Sequence, residues 1–189
     1  EVYNLYYKYW NYKIIIDRGP VCTPGNLKVM QKHFKQPIRC IVLVRDLLDV
    51  LASYIKWFET EPTSFLNRYK TLDEKLSVVM KKEGAVAKEL MSIQYLLQHP
   101  EMAVFIKYDD LVENPEREIR KVYNFLNLPY YSHYFTNLQQ IMVNGISYDD
   151  RFLGRNMHTI RTEKIMKVEN EYKKLIPERF VKEYGHIRF

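Results

Sequence analysis

Arg39-Cys40-Ile41-Val42-Leu43-Val44-Arg45-Asp46-Leu47-Leu48-Asp49-Val50-Leu51-Ala52-Ser53-Tyr54 is the stretch that decides the fold. Its first half is an apolar run, rich in β-branched residues and too short for a helix. That pattern predicts a strand buried on both faces, as in a parallel sheet. The run stops at Arg45-Asp46, and a helical pattern begins at once. Asp46 is placed to cap the helix and Asp49 falls in its first turn. Leu48, Leu51, Ala52 and Ile55 supply the apolar stripe. An arginine where a buried strand gives way to a helix lies at the carboxyl edge of a parallel sheet, where open α/β folds bind anions. Ser53 follows eight residues later, roughly 10 Å along the helix axis at 1.5 Å per residue. A long guanidinium and a hydroxyl across that gap can hold one phosphate. Taken alone, the pair reads first as a solvated strand-end arginine and an ordinary helix serine.

Working outward, Lys13–Asp17 reads as an earlier strand that ends in charge and then Gly19-Pro20. Pro24 opens a helix whose apolar face is Leu27, Met30 and Phe34. Strand, helix, strand in this span is a βαβ unit. Downstream, a helical pattern runs over 72–98, with Gly84 marking a bend or break. Met102–Tyr108 is a third strand. Asn114-Pro115-Glu116 then gives cap, first helical residue and acidic first turn in order, opening a helix over Pro115–Leu126. Residues 130–161 carry turn signals. Residues 162–184 return to an amphipathic helical pattern broken by Pro177.

Two landmarks now stand in order. The first is the arginine-aspartate after the apolar strand, with a serine eight residues on. The second is Tyr108-Asp109-Asp110-Leu111, Asn114-Pro115 and the helix ending Phe125-Leu126. Together they resemble the sulfotransferase family, well over residues 12–128 and weakly beyond. The resemblance implies an α/β fold with a parallel central sheet flanked by helices, related to the P-loop nucleoside-triphosphate hydrolases. It implies one domain over 1–189, with an α/β core at 12–128 and C-terminal loop and helices at 129–189. It also implies transfer of a sulfuryl group from 3′-phosphoadenosine 5′-phosphosulfate to a hydroxyl of a small molecule or glycan, without a metal. In this reading Arg45 and Ser53 grip the nucleotide 3′-phosphate and Tyr108 lies near the nucleotide, unless it simply packs on the sheet. Arg155, beside Gly154 in the basic stretch Arg151–Arg161, stands for the family's late basic loop; a solvated loop fits the same residues.

The sequence also departs from the family. No glycine-rich phosphate loop precedes Lys13, so the expectation is a chain without the N-terminal strand and phosphate loop. The position of the family's histidine base, two before Pro20, holds Arg18, which cannot act as a base. Asp17 is the carboxylate that can take that role, or it pairs with Arg18 at the strand end. The rival reading is a non-catalytic nucleotide- or anion-binding module of the same fold.

Composition bounds these readings. Net charge is +6 over 189 residues, which favours anionic partners, but the charge is spread along the chain and does not suggest nucleic acid. No apolar run reaches membrane length, so no membrane partner is expected. The two cysteines, Cys22 and Cys40, form no metal spacing and no disulfide framework. They point to a reducing compartment, the cytoplasm, with Cys40 as a small buried hydrophobe.

Overall fold

The computed structural model describes residues 14, 16, 22–60, 64–139, 142–143, 146–147, 163–167, 169–187 and 189. Strands β1 (Cys40–Val44) and β2 (Ala103–Lys107) pair in parallel, Cys40 opposite Ala103 through to Val44 opposite Lys107. Parallel neighbours need a long crossover. Here it is built from α2 (Leu47–Thr60), a 3₁₀ turn at Phe65–Arg68, α3 (Leu72–Met80) and α4 (Ala85–Leu97). Helix α1 (Pro24–His33) precedes β1, and its first turn is capped by the Thr23 hydroxyl accepting from the Asn26 N–H. The expected strand at Lys13–Asp17 falls largely outside the described residues.

Among the described residues β1 is covered on one side, not two. Cys40 and Val44 are buried, while Ile41 and Leu43 are 42% and 57% exposed. The covered side packs on Leu27 of α1, Leu96 of α4 and the start of β2. Phe34 likewise leaves the face predicted for α1. It follows the helix as an extended residue and is exposed.

The pattern over 72–98 is two helices, not one. Gly84 begins α4, and a Cβ built there would lie 2.3 Å from the Val79 carbonyl oxygen and 2.4 Å from that of Val78. Only glycine lets the chain double back so closely on the end of α3. The Thr71–Glu74 capping box starts α3.

Helix α5 (Tyr108–Glu113) springs directly from β2, and α6 (Pro115–Leu126) has the bounds predicted for it. The Asn114 side chain accepts from the Arg117 N–H at 3.2 Å, and Pro115 fills the first helical position. Asn127, at φ 56°, ends α6 in the left-handed conformation that asparagine tolerates. The Arg39 guanidinium donates to the Phe125 carbonyl at 2.6 Å, tying this end to the approach to β1.

Helical expectations over 162–184 are met only in part. Described residues before Asn170 are non-helical, with Lys164 bridged to Thr136. A 3₁₀ turn at Glu171–Leu175 and helix α7 (Glu178–Tyr184) follow. Ile176 and Phe180 join Leu51, Ile55, Phe58, Leu66, Leu76 and Val79 in the main core. The remaining strands, β3 (Met142–Val143) and β4 (Ile146–Ser147), form a short antiparallel pair. Among the described residues no helix is long and apolar enough to cross a membrane.

Candidate functional site

In-register parallel pairing fixes the geometry of one sheet edge. Val44 and Lys107 are partners, so the next residue of each strand, Arg45 and Tyr108, leaves the sheet beside the other. The Arg45 guanidinium carbon sits 4.3 Å from the centre of the Tyr108 ring. A cation stacked on an aromatic face keeps its in-plane N–H groups available to an anion. Arg45 is 23% exposed, and its Nε lies 3.8 Å from Asp49 Oδ2, an ion-pair distance longer than a hydrogen bond.

Asp46 caps α2 as the sequence predicts, its Oδ1 accepting from the Asp49 N–H at 3.1 Å. The Ser53 hydroxyl donates to the Asp49 carbonyl at 3.0 Å and is exposed. Arg45 and Ser53 therefore both touch Asp49, one at its carboxylate and one at its backbone.

Three further residues reach this edge from the C-terminal segment. Lys173 Nζ lies 3.1 Å from Asp46 Oδ1 and 3.0 Å from Asp49 Oδ1. Desolvation lowers the affinity of this ammonium for its proton, but hydrogen bonds to Asp49 and Asp46 outweigh it, so its pKa stands above the ordinary lysine value. Asn170 Nδ2 donates to Ser53 Oγ at 3.2 Å, while its Oδ1 accepts from the Tyr172 N–H and caps the 3₁₀ turn. Lys167, paired at 2.9 Å with Asp109, adds a second lysine at the start of α5, and the Asp109 hydrogen bond raises its pKa too.

Arg45, Tyr108 and Ser53 thus share one sheet edge with Asn170 and Lys173, which sequence reasoning missed. Asn170 carries a local signal only as a cap; its 117-residue separation from Ser53 hides the contact. Asp17 and Arg155 lie outside the described residues. Arg45, Lys173 and Lys167 face Asp46, Asp49 and Asp109, so the cluster is close to charge balance. An entering dianion would therefore compete with Asp46 and Asp49 for Lys173 while meeting Arg45 on its stacked ring.

A family model described as a sulfotransferase domain matches residues 22–173. No curated protein and no solved structure matches the chain.

Proposed function

The chain belongs to the sulfotransferase domain family, and from that premise we propose that its sheet edge binds the 3′-phosphate of 3′-phosphoadenosine 5′-phosphosulfate for sulfuryl transfer to a hydroxyl acceptor. One observation carries the reading: a guanidinium stacked on Tyr108 where two parallel strands end, with Ser53 on the following helix. Arg45 supplies charge-assisted N–H donors, and Ser53 supplies a hydroxyl donor once its proton turns from the Asp49 carbonyl to the phosphate. Asn170 holds that hydroxyl from behind, and Lys173 is shared between the incoming anion and Asp46 and Asp49, whose charge it offsets.

In the transfer step the acceptor oxygen bonds to sulfur as the bond from sulfur to the 5′-phosphate oxygen breaks. The electron pair leaves on that oxygen, giving adenosine 3′,5′-bisphosphate. The hydroxyl proton passes to a base, which in this reading is Asp17. Arg155 in this reading stands for the family's late basic loop and supplies a further cation to the nucleotide.

Calorimetric titration of the chain with adenosine 3′,5′-bisphosphate and with AMP tests the proposal. The expected result is tighter binding of the bisphosphate by about 100-fold, within the worth of charge-assisted hydrogen bonds to one guanidinium. Arg45→Ala should erase the difference. Equal affinity of the unaltered chain for the two nucleotides would overturn it. Bisphosphate binding without product from any hydroxyl acceptor would favour the non-catalytic binding module.

A further inference from the structure

At the other end of β1 the structure joins two thiols that no part of the sulfotransferase reading uses. Cys22 and Cys40, 18 residues apart, have their sulfurs 3.9 Å from one another, and both are free. We propose that they are a peroxide-sensitive dithiol, closing to an intramolecular disulfide that ties the entry of α1 to the head of β1.

The two cysteines are unequal in the way such chemistry requires. Cys40 is buried and fixed. Its N–H donates to the Met102 carbonyl at 2.7 Å, and it is paired in register with Ala103. Cys22 is half-buried, belongs to no helix or strand, and directly precedes the cap residue Thr23. It lines a groove of about 700 Å³ that runs along β1. Cys40 lines the same groove but is buried, so an oxidant there meets the half-buried Cys22 first, and Cys22 is not held in the sheet. Closing a 3.9 Å separation to a bond of about 2.05 Å asks for roughly 2 Å of movement. That movement falls on the segment outside the sheet.

Their protonation is unequal as well. The Cys40 S–H donates to the Cys22 sulfur, which stabilises a thiolate there and lowers the Cys22 pKa to about 7. Burial and the half-buried carboxylate of Glu89 on α4 oppose that shift. The same hydrogen bond and its own burial push Cys40 far up. Among the described residues, Arg39, Arg45 and Tyr54 are the other titratable side chains lining the groove.

The chemistry balances with hydrogen peroxide as oxidant. The Cys22 thiolate attacks one peroxide oxygen and the O–O bond breaks. The departing hydroxide takes a proton and leaves as water, with Cys22 as sulfenic acid. The Cys40 sulfur then attacks the Cys22 sulfur, and the S–O bond breaks. The Cys40 proton and the sulfenic oxygen group depart as a second water. Two thiols and one peroxide give one disulfide and two waters.

The test uses the full chain, reduced and then exposed to hydrogen peroxide across pH 5–9. The expected product is monomeric, has lost both free thiols, and yields on digestion a peptide pair joined through Cys22 and Cys40. Its formation rate should rise through about pH 7, and its melting temperature should increase by about 6–12 °C for a loop of this length. Cys40→Ser should stop at a sulfenic acid that dimedone traps. Cys22→Ser should react about tenfold more slowly, as a buried thiol without a low-pKa partner does. Cross-linked dimers, oxidation confined to Cys22 in the unaltered chain, or two thiols inert to peroxide would each overturn the proposal. None of these outcomes depends on nucleotide binding.

Discussion

Helix α2 presents two faces made on opposite terms. One face, with Leu47, Leu48, Leu51, Ala52, Ile55 and Phe58, is buried in the main core. The other begins at the Asp46 cap and carries Asp49 and Ser53, which meet Lys173, Arg45 and Asn170. The apolar face holds the helix through non-directional burial, which is worth most where water is fully excluded. The polar face makes directional contacts near solvent, where each contributes little to stability. The first face therefore sets where the second stands, and the second is free to exchange partners. A site built this way loses binding before it loses its fold.

The largest test of that division lies in the core. Leu51, fully buried, changed to alanine should cost about 2–5 kcal/mol of stability. The urea midpoint should fall, while the folded fraction should keep its affinity for adenosine 3′,5′-bisphosphate. A large loss of intrinsic affinity would break the division. Arg45→Ala should do the reverse. Its affinity for the bisphosphate should fall about 100-fold, near 2.7 kcal/mol, with a smaller change in melting temperature than Leu51→Ala gives. Arg45→Lys should fail to restore binding, because an ammonium is a point charge that does not donate as a planar fork from over the Tyr108 ring.

Helix α6 sharpens the comparison, since it carries a charge on its buried side. Glu118 is fully buried between Arg117 at 2.7 Å and Lys121 at 2.7 Å, both half-exposed. Desolvation raises its pKa, but hydrogen bonds from Lys121 and Arg117 prevail and leave it below the usual glutamate value. A carboxyl held lower in the folded state stabilises the fold above its unfolded pKa. That contribution is lost as pH falls through the lowered folded value. Lys121→Met should cost about 1.5–2 kcal/mol and should make acid unfolding begin at higher pH, read by circular dichroism. A replacement with no effect on either would show that Arg117 alone suffices.

Ser53→Ala should give the smallest effect. Loss of one exposed hydroxyl should weaken bisphosphate binding about fivefold, or roughly 1 kcal/mol, with stability almost unchanged. Asn170→Ala should match it if the amide acts only by orienting that hydroxyl. An affinity loss as large as that of Arg45→Ala would instead give Asn170 its own contact with the ligand.

Much of this could be read along the chain because the signals are local. The apolar run over 40–44 and the aspartate that follows announce β1 and the cap of α2. Asn114-Pro115 announces α6 to the residue. Gly84 was legible as an interruption, but its steric cause was not: the carbonyls it meets belong to a turn five and six residues earlier. Over 162–184 the amphipathic pattern misled, because periodicity does not report that Asn170 must turn back to Ser53 while capping a 3₁₀ turn.

The sequence by itself determined the strand-to-helix transition at Arg45-Asp46, the caps and the family landmarks. These depend on steric and hydrogen-bonding preferences acting over one or two turns of chain. Only the tertiary structure decided that Tyr108 lies against Arg45, that Asn170 and Lys173 complete the same edge, that β1 is covered on one side, and that Cys22 faces Cys40. Those contacts join residues 18 to 127 positions apart. No local preference encodes them; sheet register and core packing bring them together.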